Sequence, residues 1–159
     1  MLDNQEPFAP ATRSSIRIKQ AEKRHLADPS LACALLNLTP TGLINDLETF
    51  GFLFEALCVR DLRVYANSFG AELYHYQDYK NQEIDAVVEL PDRRWCAIEV
   101  KLGANQIDAA AESLLRINAS IRSNNGNPAS SLVVVCGLSN AAYRREDGVL
   151  VVPITMLKP

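Results

Sequence analysis

The spacing of apolar residues divides the chain into segments of different period. From Leu47 to about Ser68, the residues Leu47, Phe50, Phe54, Leu57, Cys58, Leu62 and Tyr65 fall close to a helical repeat. This predicts one long helix with a single buried stripe. Phe69-Gly70 ends it, and the repeat then shortens to two residues. Glu72 to Gln77 predicts a short aromatic strand. Glu83 to Leu90 and Arg94 to Lys101 both alternate, on either side of a turn at Pro91-Asp92. Helical spacing returns from Asn105 to about Ile121, in a stretch rich in alanine. The loop signal Asn124-Asn125-Gly126-Asn127-Pro128 follows. Ser131 to Cys136, SLVVVC, is apolar throughout, as a strand covered on both faces would be. Gly148 to Pro153 predicts one more strand.

From Leu47 the order is therefore α-β-β-β-α-β, with a further strand after it. Such an order packs as an α/β (α+β) domain, a central mixed sheet with helices on its faces. Residues 47–159 are expected to form this core. Residues 1–46 are expected to be a smaller extended or helical appendage. Within it, Met1 to Thr12 has no clear period, and Arg13 to His25 holds five basic residues against Glu22. Asp28 or Ser30 caps a short helix with the body LACALLNL, which Thr39-Pro-Thr-Gly is expected to break.

Alternation assigns the charged residues to faces. In Glu83 to Leu90, one face carries Ile84, Ala86, Val88 and Leu90, and the other Glu83, Asp85, Val87 and Glu89. In the next strand Glu99 and Lys101 share a face with Trp95 and Ala97. A face with those apolar neighbours is at least partly covered, and a buried carboxylate without a partner costs several kcal/mol. If the two strands pair across the Pro91 turn, Asp85 lies near Glu99. Two carboxylates and a lysine at one strand end suit a hard cation such as Mg²⁺ or Mn²⁺, held through oxygen. Such a cation polarises a phosphate oxygen and acidifies a bound water. Lys101 would orient that water or stabilise the charge that develops at phosphorus. The carbonyl of Val100 is a further candidate ligand.

Composition narrows the class. The chain has 159 residues, 48% of them hydrophobic and 22% charged, which suits a single globular domain with its own core. No apolar run approaches the ~20 residues of a membrane span, and the N-terminus lacks the pattern of a signal peptide. Cys33, Cys58, Cys96 and Cys136 are widely spaced, which predicts free thiols in a cytoplasmic protein. The net charge of −3 argues mildly against an obligate nucleic-acid binder. His25 and His75 are isolated and suggest neither a metal site nor a triad. Trp95, Tyr74, Tyr76 and Tyr79 read as packing residues rather than base-stacking platforms.

Asp85 followed 14 positions later by Glu99-Val100-Lys101 resembles the signature of the PD-(D/E)xK nucleases. That superfamily has an α-β-β-β-α-β, restriction-endonuclease-like core, the order already read from the periods. The resemblance implies that an acidic residue on the first core helix joins the metal site. Glu55, the only charged residue between Glu48 and Arg60, matches it. It also implies a glutamine at the start of the later helix, matched by Gln106. The stretches RSSIRIKQAEKRHLADPSLACALL, FGFLFEALCVRDLRVYA, QEIDAVVE and AIEVKLG resemble, more closely, a nuclease-like C-terminal domain of unknown function carried by bacterial and archaeal P-loop ATPases of the AAA+ class. The resemblance implies DNA and an ATPase domain as partners, Mg²⁺ or Mn²⁺ as cofactor, and Asp85, Glu99, Val100 and Glu55 as its ligands. Full-length members also carry G-x-x-x-x-G-K-[ST]. No stretch here matches it, so the chain reads as a shortened form without ATPase activity of its own. The alternative is a catalytically silent module that binds DNA or a protein, or that docks the ATPase.

Overall fold

The computed structural model describes residues 2–10 and 18–158. Two strands open it, β1 (Leu2–Gln5) and β2 (Lys23–Leu26), paired antiparallel with Gln5 opposite Lys23. Helix α1 (Pro29–Leu35) starts at Asp28, whose carboxylate accepts the Ser30 N–H at 2.9 Å. Thr39-Pro40 does not simply end the helical region. It starts a second helix, α2 (Pro40–Asn45), with Thr39 Oγ1 accepting the Gly42 N–H at 3.1 Å. Proline is at home in the first helical position, where its missing N–H would have no partner in any case.

Helix α3 (Leu47–Ser68) is capped by Asp46, which accepts the Thr49 N–H at 3.1 Å. It ends at Gly70, whose φ of +74° is a backbone state that glycine adopts without strain. Strands β3 (Glu72–Gln77), β4 (Glu83–Glu89) and β5 (Trp95–Lys101) follow. A 3₁₀ turn (Ala104–Gln106) leads into α4 (Ile107–Ser123). Then come β6 (Ser131–Cys136), β7 (Tyr143–Arg144) and β8 (Leu150–Pro153). The helix, three strands, helix, strand order is thus present, and two further strands extend the sheet.

The six strands form one mixed sheet in the order β3-β4-β5-β6-β8-β7. β3, β4 and β5 are antiparallel neighbours; β5, β6 and β8 run parallel. Helix α3 covers one face, where Phe54, Cys58, Val59 and Leu62 meet Ala86 and Ile98. Helix α4 covers the other, where Ala111, Leu114 and Ile117 meet Val87, Ala97 and Val134. Both faces are apolar because both are covered, which explains the unbroken SLVVVC run of β6.

One irregularity matters for the site. Between β3 and β4 the register passes from Tyr74↔Val87 to Tyr76↔Ile84, so β4 carries one extra residue there. This is a β-bulge at Asp85-Ala86, and it resets which face each side chain occupies. Ile84 packs with the α4-side core, whereas Ala86 and Val88 pack on the α3 side. The uniform alternation expected for Glu83 to Leu90 is therefore corrected at Ile84.

Residues from the first 46 reach into the main body. Phe8 is buried in the α4-side core with its ring centroid 4.8 Å from that of Trp95. Its N–H donates to the His75 carbonyl at 2.7 Å. Arg63 on α3 pairs with Asp3 at 3.0 Å. Among the described residues no helix is long and apolar enough to cross a membrane.

Candidate functional site

The β4–β5 ladder runs from Glu89↔Trp95 to Ala86↔Ile98 and stops there. Beyond it the two strands part, and the carboxylate of Asp85 enters the gap. Its Oδ2 accepts the Val100 N–H at 2.8 Å, replacing a backbone acceptor. The bulge makes this possible, because it turns Asp85 edge-on in the sheet, between the two covered faces.

The bulge is itself held by Gln5, which is fully buried. Gln5 Nε2 donates to the carbonyls of Tyr74 at 2.7 Å and Asp85 at 3.1 Å. With its amide nitrogen so engaged, Gln5 offers its oxygen to His25 Nε2 at 2.9 Å, so that nitrogen of His25 carries the proton. Burial, with the nearby Lys23 charge, lowers the His25 pKa to about 4 and keeps the ring neutral.

Asp85 has a lysine on each side. Lys101 Nζ lies 3.4 Å from Asp85 Oδ2 and 2.7 Å from Glu99 Oε2. Asp85 and Glu99 are both buried, at 8% and 6% exposure, and share that one ammonium. Burial first, and then the Asp85 charge, push the Glu99 carboxyl up to about 8, against the pull of Lys101. Burial opposes the charge on Lys101, but the two carboxylates outweigh it and raise its pKa.

On the other side Lys23 Nζ lies 2.7 Å from Glu55 Oε1, 2.7 Å from Glu83 Oε1 and 3.9 Å from Asp85 Oδ1. It donates a hydrogen bond to Glu83. Its contact with Glu55 Oε1 is a close ion pair that supplies the partner of that buried oxygen. Burial, followed by repulsion from Asp85, raises the Glu55 pKa, while Lys23 opposes the shift.

Three clefts meet at this point. A polar one of about 510 Å³ is lined by Lys80, Glu83, Asp85, Glu99, Lys101 and Arg116. One of about 470 Å³ runs past Lys23, Glu55 and Asp85. Another of the same volume runs past Phe52, Glu55, Lys101 and Gln106. The buried charges thus border space that a substrate could enter.

The structure brings Asp85, Glu99 and Lys101 into direct contact, and joins Glu55 to them through Lys23. At Val100 the N–H is committed to Asp85. Gln106 Oε1 accepts the Gly103 N–H at 3.1 Å, so its amide is used in the turn while it lines a cleft with Lys101. Trp95 and Tyr76 are buried and packed, whereas Tyr79 is 66% exposed. The four cysteines are free, with Cys58 and Cys136 buried and Cys33 and Cys96 half-buried.

Lys23 is the residue that the sequence reading missed. In the sequence it stands only as one of the five basic residues of Arg13 to His25. Instead it points into the carboxylates, while Lys19 bonds Asn81 Oδ1 at 2.6 Å. Arg13 and Arg17 lie outside the described residues. No local signal in the sequence marks it: β2 is four residues long, and only once it is known as a strand do Lys23 and His25 fall on one side and Arg24 on the other.

Residues 50–157 match the model of a family described as a domain of unknown function, DUF4143. No curated protein matches the chain, and no solved structure does. The matched span begins inside α3 and takes in Glu55, Asp85, Glu99 and Lys101, but leaves Gln5 and Lys23 before it. Since it covers well over half of the sequence, the chain belongs to the DUF4143 family.

Proposed function

We propose that the domain is a metal-dependent, nuclease-like hydrolase of DNA phosphodiesters, of the PD-(D/E)xK kind, acting with an attached or separate AAA+ ATPase domain. The observation that carries this reading is the Asp85–Lys101–Glu99 contact at the parted ends of β4 and β5, open to a polar cleft.

The donor set suits a hard divalent cation. It consists of carboxylate oxygens, those of Asp85 and Glu99 buried together and that of Glu55 held nearby by Lys23. Among the described residues no three acidic, histidine or cysteine side chains already converge as a metal cage. Lysine ammoniums hold these carboxylates instead, Lys23 at 2.7 Å from Glu55 and Lys101 at 2.7 Å from Glu99. Asp85 and Glu99 would hold Mg²⁺ or Mn²⁺ with the Val100 carbonyl, and Glu55 would stand beside them. The bound cation would supply Lewis-acid polarisation of a phosphate oxygen and a water of lowered pKa. Lys101 would orient the attacking water and stabilise charge developing on the phosphate oxygens. Gln106, on the rim of the neighbouring cleft, would help place the strand.

The test is cleavage of single-stranded, duplex and branched DNA with Mg²⁺ or Mn²⁺, with the ATPase restored. Asp85→Ala and Lys101→Ala should each lower the rate by about a hundredfold or more. Cleavage at equal rates in the variants would contradict the reading. A second reading, a silent DNA-binding or docking module, is favoured by Lys23, whose ammonium partly neutralises the carboxylates from within. It predicts no cleavage by the wild type, and partner binding unchanged in Lys101→Ala.

A further inference from the structure

From Pro29 to Asn45 the sequence PSLACALLNLTPTGLIN holds no charged residue, in a chain that is 22% charged. Such a stretch would ordinarily be core, yet here it is surface. In α1 only Pro29 is buried, and α2 buries none of its residues. Leu31, Leu35, Leu36 and Ile44 are each more than half exposed, Leu35 at 82%. Leu31 and Leu35 stand one turn apart on the same face of α1. Both short helices pack against α3, and in its first turns Leu47 and Phe52 are more than half exposed as well. Single apolar side chains scattered over a surface are ordinary, but a group of six on adjoining elements marks an interaction surface.

We propose that this surface is an interface between two copies of the chain: α1, α2 and the first turns of α3 of one copy cover the same elements of the other. The inference goes beyond the metal-dependent reading above and does not depend on it.

Area and charge both favour a second copy. At roughly 100 Å² or more apiece, six such side chains match or exceed the ~300–600 Å² of the largest apolar patch on a typical monomer. With the exposed, uncharged Thr39 and Thr41 beside them, they approach the ~800 Å² that each partner buries in a stable interface. A two-fold interface brings one surface against itself, so a charge near the axis meets its own sign. A stretch without charges meets itself at no such cost, and homodimer interfaces are the most apolar kind. A different protein that recognised its partner by charge would find nothing here to pair with. The helices themselves are seven and six residues long, too short to be stable without packing, and a second copy supplies the cover that α3 gives on one side only. Leu47 and Phe52 also line the cleft that runs past Glu55 and Lys101, so pairing would set the two candidate sites along one interface.

The experiment is sedimentation equilibrium of the chain over a range of concentrations, beside Leu35→Lys and Ile44→Lys, with folding checked by circular dichroism. The wild type should reach twice the chain mass and stop there, and its thermal midpoint should rise with concentration. Each variant should stay folded, because the replaced side chain is exposed, and should raise the dissociation constant by about thirtyfold or more. Val64→Lys, at an exposed position further along α3, should dimerise as the wild type does. A wild type that is monomeric at every concentration would overturn the inference. So would species that grow past the dimer, which a closed two-fold contact does not form. Dimers that persist unchanged in both Leu35→Lys and Ile44→Lys would place the contact elsewhere and overturn it too. Each of these outcomes leaves the metal-dependent reading where it stands.

Discussion

Asp85 is the residue on which the site turns. Its carboxylate takes a backbone N–H, meets two lysines and faces Glu99, all while 8% exposed. Alternation along two neighbouring strands was enough to bring Asp85, Glu99 and Lys101 together on paper, because each sits within 16 residues of the others around one turn. Lys23 was out of reach of that reasoning. It lies 62 positions before Asp85, and no local period reports a contact at such a distance. His25 was passed over for the same reason: its partner Gln5 is 20 positions away, on another strand. His25 gives a prediction at this scale. Its pKa falls from 6.5 to about 4 on folding, so the unfolded chain binds the proton more readily. Stability contributed by the neutral ring should be complete above about pH 6.5, be lost as the pH falls towards 4, and change no further below that. Denaturant titrations of wild type and His25→Gln at several pH values measure it. The difference between the two proteins should narrow or reverse over that window.

At the scale of elements, the long helix, the three antiparallel strands, the alanine-rich helix and the apolar β6 were all legible, because each is governed by its own period and its own caps. What escaped has specific causes. Helix α2 escaped because a proline both ends helices and opens them, and Pro40 opens this one in its first turn. Strands β1 and β2 are four residues each, too short for a period to emerge, and become strands by pairing with each other. The bulge in β4 escaped because a single inserted residue is invisible until the partner strand is known. That bulge and the β1–β2 hairpin act as one device: Gln5 supplies the donors that two strand carbonyls need, and the bulge in turn aims Asp85. Gln5→Ala should leave the Tyr74 and Asp85 carbonyls without that donor, at a cost of about 1–3 kcal/mol. Chemical denaturation would show it as a lowered midpoint. An unchanged midpoint would mean that the bulge is held without Gln5.

For the molecule as a whole, two helix layers cover a mixed sheet, and the ionisable cluster lies where the sheet opens between β4 and β5. Burial on both faces is what makes those charges significant. Carboxylates this enclosed are retained only with partners, and the partners here are two lysines, Lys23 from β2 and Lys101 from β5. The most direct measurement of the central claim is calorimetric titration of the folded chain with Mn²⁺, beside Asp85→Ala and Glu99→Ala. The account predicts saturable binding in the wild type and its loss in both variants. No binding by the wild type, or binding unchanged when Asp85 and Glu99 are removed, would contradict it.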